Sequence, residues 1–334
     1  MEKLRSREAV DPHQIKLLLN ALFKKAQDPA EALSVLPDKA RAAFAKEVAY
    51  ESLELAERHD SQIDGASKLI FRTHDGHLIE SVILRPKTGR TSLCISSQVG
   101  CACSCSFCAT GKMGFLRNLT AAEIADQVAI TNRLVKSEER SIRNVVFMGM
   151  GEPLLNPENL FQALEILQAP SYFNYAGSRL MVSTVGIPHG MEAFTEHFPK
   201  INLALSLHSA RQEIRESLMP MAKKYPLKRL RESLQKTAGH GKVMIEYLML
   251  AGVNDGEADR LALEEYLRDI PAHINLIPFN AYPGCDLTGT PEAERRAFAD
   301  QLKGEGFDCT LRYSLGTDIA AACGQLVQQK ERYD

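Results

Sequence analysis

Residues 100–108 read Gly-Cys-Ala-Cys-Ser-Cys-Ser-Phe-Cys, and Cys101, Cys105 and Cys108 stand in the spacing C-x3-C-x2-C. Three thiolates on one loop can hold three irons of a [4Fe-4S] cube and leave the fourth open to a non-protein ligand. A structural zinc site needs four protein ligands, and no partner pair with matching spacing occurs elsewhere in the chain. Cys103 reads as a passive thiol within the loop, because the other three complete the spacing; a different register among the four stays open.

Outward from this loop, strand and helix signals alternate. Ser92–Ser96 precedes it as a strand-like run, and further apolar runs follow at 145–150, 179–185, 201–207, 243–250 and 274–279. Helical stretches fall between and after them at 121–136, 157–168, 189–197, 226–238, 257–269 and 291–304. Six βα units imply an α/β fold with a parallel sheet and right-handed crossovers, closing partly into a (βα)6 barrel. Functional residues then belong at the carboxyl ends of the strands. Before the barrel, Lys68–Phe71 and Leu78–Leu84 flank His74-Asp75-Gly76, the signature of a hairpin. Ile15, Leu18, Leu19, Leu22 and Phe23 recur at helical spacing, and a second apolar stripe runs from Leu33 to Leu55. The expected division is a helical accessory domain at 1–65, a hairpin connector at 66–90, the barrel with a C-terminal loop at 91–326, and a tail at 327–334.

The chain has 334 residues, 45% of them hydrophobic, enough for one large core and a small accessory unit. Its net charge of −2 gives no global pull on nucleic acid, so RNA binding would have to use local basic patches. No apolar run is long enough to span a bilayer and none reads as a signal peptide, which points to the cytoplasm and no membrane partner. In that reducing compartment the 8 cysteines favour metal or catalytic chemistry over a disulfide framework.

The strings SSQVGC (96–101), FCATG (107–111), GFLRNLTAAEI (114–124), GMGEP (149–153), STVGIP (183–188), LALSLHSA (203–210), LIPFN (276–280) and DIAAACGQL (318–326) follow one another in this order. Together they resemble the RlmN/Cfr family of radical S-adenosylmethionine (SAM) RNA adenine methyltransferases, over roughly residues 76–326. The resemblance implies one [4Fe-4S] cluster per chain and two SAM molecules consumed per turnover. It implies that Cys323 takes a methyl group from the first SAM, and that a deoxyadenosyl radical from the second removes hydrogen from that methyl. The carbon then joins an electron-poor ring carbon of adenine, carbon 2 or carbon 8, and Cys94 attacks the Cys323 sulfur to release the base. Glu80 aligns with the family's proposed proton acceptor, although from the residues alone a solvent-facing acid on a hairpin strand reads equally well.

By the same resemblance Gly151, Glu152, Ser183, Ser206, Leu207 and His208 contact SAM, and Asn280 its adenine. The implied partners are structured RNA, ribosomal with transfer RNA as a second candidate, and an electron donor such as flavodoxin or ferredoxin. Basic residues on offer for RNA are Lys223, Lys224, Lys228, Arg229 and Arg231, then Arg117 beside Asn118, then Lys16, Lys24 and Lys25 of the helical domain. Leu315-Gly316, where many carbon-2 members carry Arg-Gly, leans toward the carbon-8 side of the family. Two other readings stand beside this one, a radical SAM enzyme acting on a metabolite or peptide and a non-catalytic iron-sulfur or zinc RNA-binding module. Cys285 and Cys309 receive no role.

Overall fold

Short apolar runs separated by amphipathic helices build one ten-stranded sheet in the computed structural model, which describes residues 2–327. Of the tail expected at 327–334, only Val327 falls within the described residues. The chain begins with α1 (Glu2–Arg7), α2 (Pro12–Leu19), a π-helical turn (Asn20–Lys24), α3 (Pro29–Ala32) and α4 (Asp38–Glu47). Asp11 and Gln14 form a capping box that satisfies the first amides of α2. Leu18, Leu22, Leu36 and Phe44 make a small core of their own, and Phe23 reaches out of it to ring-centroid distances of 5.0 Å from Phe173 and 5.1 Å from Tyr172.

Helix was expected through residue 65, but it ends at Glu47 and Leu53–Asp60 is strand β1. In Leu53-Glu54-Leu55 apolar and polar residues alternate, a period-two signal that the longer stripe from Leu33 concealed. The strand is started by Asp126, whose carboxylate accepts from both the amide and the hydroxyl of Ser52.

The hairpin forms as β2 (Ala66–Thr73) and β3 (Leu78–Leu84), but not as a separate connector. Next to β3 lies β4 (Ser92–Cys94), so β1, β2 and β3 are an antiparallel margin of the barrel sheet. After β4 come β5 (Gln98–Gly100), α5 (Ala109–Lys112) and β6 (Phe115–Asn118), with β5 and β6 forming a small sheet beside the cysteine loop.

The barrel continues through α6 (Ala121–Lys136), β7 (Asn144–Phe147), α7 (Pro157–Gln168), β8 (Leu180–Thr184), α8 (Pro188–His197) and β9 (Asn202–Ser206). Then come α9 (Gln212–Leu218), α10 (Met221–Lys224), α11 (Leu227–Ala238), β10 (Val243–Met249), α12 (Glu257–Leu267), β11 (Ala272–Pro278), α13 (Glu292–Gly304) and β12 (Cys309–Leu311). Thr120 and Glu123 form the capping box that starts α6. Strands β4, β7, β8, β9, β10, β11 and β12 pair in that order, all parallel, and no pairing of β12 with β4 closes the ring among the described residues. The partial barrel expected from the sequence is therefore present. Its seventh parallel strand, Cys309–Leu311, carries no apolar run to announce it.

Val145, Phe147, Val182, Leu203, Leu205, Ile245, Ile274 and Leu276 fill the sheet core. The register pairs Cys94 with Val146, Ser183 with Ala204 and Ser206 with Glu246, so the strand ends bring their polar residues to one rim. Among the described residues no helix is long and apolar enough to cross a membrane.

Candidate active site

From Cys94 the chain turns through buried Ile95, Ser96 and Ser97 towards the cysteine loop. Gln127 holds that turn: its amide nitrogen donates to the Ser96 carbonyl, and its oxygen accepts from the Ser96 amide and the Ser81 hydroxyl. The loop is clamped at both ends, by the Cys101 amide donating to Gly114 O (2.8 Å) and the Ser106 amide donating to Leu218 O (2.9 Å). Cys105 and Cys103 are buried, and Cys101 and Cys108 half-buried. Burial pushes the Cys105 and Cys108 thiols up, with neighbouring sulfurs adding to the shift. Cys103 hydrogen-bonds Cys101, which lowers Cys101 and raises Cys103. Among the described residues no three thiols lie within 4.8 Å of one another. Three thiols spaced along one loop are the donor set that a [4Fe-4S] cube with one open iron needs.

The next two strand ends carry the glycine and carboxylate strings. A Cβ on Gly149 would lie 2.7 Å from Ile95 O, and Gly151 combines φ 98° with a Cβ position 2.5 Å from Gln98 Cβ, so both backbones run where only glycine fits. Glu152 is buried; its two oxygens accept from the Leu154 amide (3.0 Å) and the Val185 amide (2.7 Å), tying the end of β7 to that of β8. Burial pushes its carboxyl up to about 7 in spite of these bonds. The hydroxyls of Ser183 and Ser206 lie 3.3 Å apart on neighbouring strands. His208 follows at φ 57°, accepts the Leu248 amide on Nδ1 (3.0 Å), and meets Phe107 edge-on at 4.8 Å. Burial pushes its pKa down to about 3, so the ring is neutral and carries its proton on Nε2.

Over this rim lies an irregular segment, residues 321–327, tied on three sides. Gly324 O accepts from the Ala109 amide (2.8 Å), and Leu326 O from the Thr110 hydroxyl (2.6 Å), both on α5 directly after Cys108. Beyond β11, Asn280 Nδ2 donates to Cys323 O (3.1 Å) and Gln325 Nε2 to Ala281 O (2.7 Å). On β3, Glu80 Oε2 accepts from the Val327 amide (3.1 Å).

Cys323 keeps an exposed face. The protein packed around it pushes its thiol up to about 12, with Cys108 and Glu246 adding to the shift. Cys94 is buried and also raised to about 12, first by burial and then by Cys323.

The structure overturns the solvent-facing reading of Glu80. It is 1% exposed, on a strand covered on both faces, with the equally buried Lys68 ammonium 3.4 Å away. Asn280, expected against an adenine, has its amide nitrogen committed to the Cys323 carbonyl. Arg117 is held by Asp75 and Glu123, Arg229 by Glu192 and Glu232, and Arg231 by the carbonyls of Tyr266 and Arg268. Lys223, Lys224 and Lys228 stay exposed.

Sequence reasoning missed Arg215 altogether. It lies on α9, is 1% exposed, donates to the carbonyls of Leu207 and Val185 at the ends of β9 and β8, and pairs with no carboxylate among the described residues. Burial lowers its pKa to about 10, with Tyr266 and Cys105 opposing. Its one sequence signal is position, three residues before Leu218 on the buried face of α9.

Residues 95–264 match the radical SAM superfamily. A Rhodopirellula baltica protein named as a probable RNA methyltransferase is 47% identical over 99% of this chain and 87% of its own length. A Nautilia profundicola protein named as the dual-specificity RNA methyltransferase RlmN is 37% identical over 95% of this chain and 92% of its own. The crystal structure of a radical SAM methyltransferase from Sphaerobacter thermophilus superposes with a TM-score of 0.93 at 34% identity, covering 98% of this chain and 96% of that one.

Proposed function

This chain belongs to the RlmN/Cfr family of radical SAM RNA methyltransferases, and from that membership we propose that it methylates carbon 2 or carbon 8 of an adenine in large-subunit ribosomal RNA, with transfer RNA as a second substrate. It is a SAM-dependent enzyme with a [4Fe-4S] cluster. Action on a metabolite or peptide, or a non-catalytic binding role, is not favoured by relatives named as RNA methyltransferases over nearly the whole chain.

Cys101, Cys105 and Cys108 are assigned as ligands of the cluster. When bound, the cluster and SAM supply the electron and the carbon-centred radical that the reaction needs. Gly151, Glu152, Ser183, Ser206, Leu207 and His208 line the rim where SAM is held, and neutral His208 can donate from Nε2 while its Nδ1 is taken by the backbone. Asn280 borders that site and positions Cys323 through its carbonyl.

The observation that carries the reading is the pair of thiols, exposed Cys323 on its tied segment and buried Cys94 beside it. Cys323 carries the methyl as a thioether. Cys94, as its thiolate, attacks the Cys323 sulfur; an S–S bond forms as the S–C bond breaks, the S–C pair stays with the carbon, and that carbon takes up a proton to become the methyl group of the released base, a step water could not perform on a thioether. Glu80 holds Val327 and accepts the proton lost from the ring carbon. A flavodoxin or ferredoxin supplies the electron.

The test uses anaerobically reconstituted enzyme, labelled SAM and RNA, followed by mass spectrometry of the nucleosides, which separates carbon 2 from carbon 8. Cys323→Ala should carry no protein-bound label, and Cys94→Ala should trap a protein–RNA adduct. Label retained on the first variant, or normal turnover by the second, would remove the assignment.

A further inference from the structure

A cavity of about 590 Å³ lies between the helical domain and the barrel, far from the rim that holds the cysteines. Its wall includes Lys24, Lys25, Lys136, Arg140 and Arg179, and no carboxylate lines it. In a chain of net charge −2, this is an uneven placement.

Two acids near the cleft in sequence are engaged elsewhere. Glu138 pairs with Arg58 and Arg85, and Asp28 caps α3. Lys136 donates to the Lys25 carbonyl, which turns its ammonium toward the helical domain. Lys24, Lys25, Arg140 and Arg179 have no carboxylate partner among the described residues, and all four are exposed. Like charges gathered in a concave site raise the local potential and attract an anion. The floor is built for permanence: Tyr175 hydroxyl donates to Ile142 O (3.2 Å), and Phe173 packs between Phe23 and Tyr175.

Position separates this cleft from the catalytic rim. Arg140 and Ile142 precede β7, and Asn174, Tyr175 and Arg179 precede β8, so the cleft is at the amino ends of strands whose carboxyl ends carry Gly149 and Ser183. At about 3.3 Å per residue, the seven steps from Ile142 to Gly149 span up to about 23 Å. A base in the barrel mouth cannot also reach the cleft; a long folded RNA can.

We infer that this cleft binds the phosphodiester backbone of the RNA substrate at a point remote from the target base. The inference rests on the RNA methyltransferase reading above. Lysines and arginines without acids suit the phosphate backbone, which carries no base identity, so the cleft adds affinity and orientation and leaves base choice to the mouth.

Arg140→Glu/Arg179→Glu changes two exposed side chains that make no fold-forming bond among the described residues. The reconstituted full chain is titrated with a folded large-subunit ribosomal RNA transcript and with a short hairpin cut from it around the methylated adenine, at several salt concentrations. For the transcript, loss of two charge-assisted contacts should weaken binding by about tenfold to hundredfold and reduce the salt slope by about 2. Hairpin binding and methylation, SAM binding and iron content should stay at wild-type values.

Unchanged transcript affinity, or equal weakening for transcript and hairpin, overturns the cleft assignment while the methyltransferase reading stands. So does a variant that loses binding of ATP or pyrophosphate but holds the transcript as before, because the cleft would then serve a free nucleotide. If the wild-type enzyme neither binds nor methylates any RNA, the functional reading fails first and the cleft assignment falls with it.

Discussion

Lys68 and Glu80 form an ion pair at 3.4 Å with both side chains almost fully buried, and removing one partner should be far more damaging than removing both. At an effective dielectric constant of about 20, unit charges at that separation attract by about 5 kcal/mol. Lys68→Met removes the ammonium 3.4 Å from the buried Glu80 carboxylate, and Glu80→Gln removes the carboxylate at that distance from the buried Lys68 ammonium; each should cost about 3–5 kcal/mol. The double variant retains a side-chain oxygen for the Val327 amide and buries no charge at this site, so its cost should be only about 1–2 kcal/mol, well short of the sum. Urea unfolding of the apoprotein measures all four corners of the cycle. Glu80→Ala in the Lys68→Met background adds a second reading, because losing the Val327 bond, worth about 1 kcal/mol, should speed alkylation of Cys323 about fivefold. Single-variant costs that simply add would falsify the pairing argument, and unchanged Cys323 alkylation would show that Glu80 does not hold the segment.

Two further outcomes follow from the rim. Gly149→Ala places a methyl group 2.7 Å from the Ile95 carbonyl, so the β7 end must move away from the cysteine turn, and SAM affinity measured by calorimetry should fall at least about tenfold; wild-type affinity would mean that the strand end is pliable. His208 stays neutral down to about pH 3 in the fold, whereas an unfolded histidine takes a proton below about 6.5. The folded state therefore loses stability as pH falls from about 6.5 toward 3, by up to roughly 5 kcal/mol for a shift of this size. His208→Gln should flatten that arm of the pH profile of urea midpoints, and a profile of unchanged shape would assign the acid sensitivity elsewhere.

The repeating architecture was legible because the barrel strands from β4 to β11 read as apolar runs, while Thr120 and Glu123 announce the start of α6 by their chemistry. β12 was not legible because three residues, two half-buried about an exposed Thr310, are too few to show a period, and β1 was hidden because Leu53 and Leu55 continue a stripe that begins in helix. The cysteine loop was legible from spacing alone, since its thiols lie close in sequence. The Glu80 environment was not: Lys68 meets it only across the β2–β3 ladder and Val327 only through the return of the chain end, contacts 12 and 247 residues apart in sequence. Arg215 was hidden for a similar reason, because its acceptors are carbonyls of two other strand ends and a backbone oxygen leaves no mark in a residue string.

The bonds from Ala109 and Thr110 to Gly324 and Leu326 join the reactive tail to the helical turn that starts immediately after Cys108. A shift of the cysteine loop is therefore carried through one short helical turn to the segment that bears Cys323, and the two cannot move independently while both bonds hold.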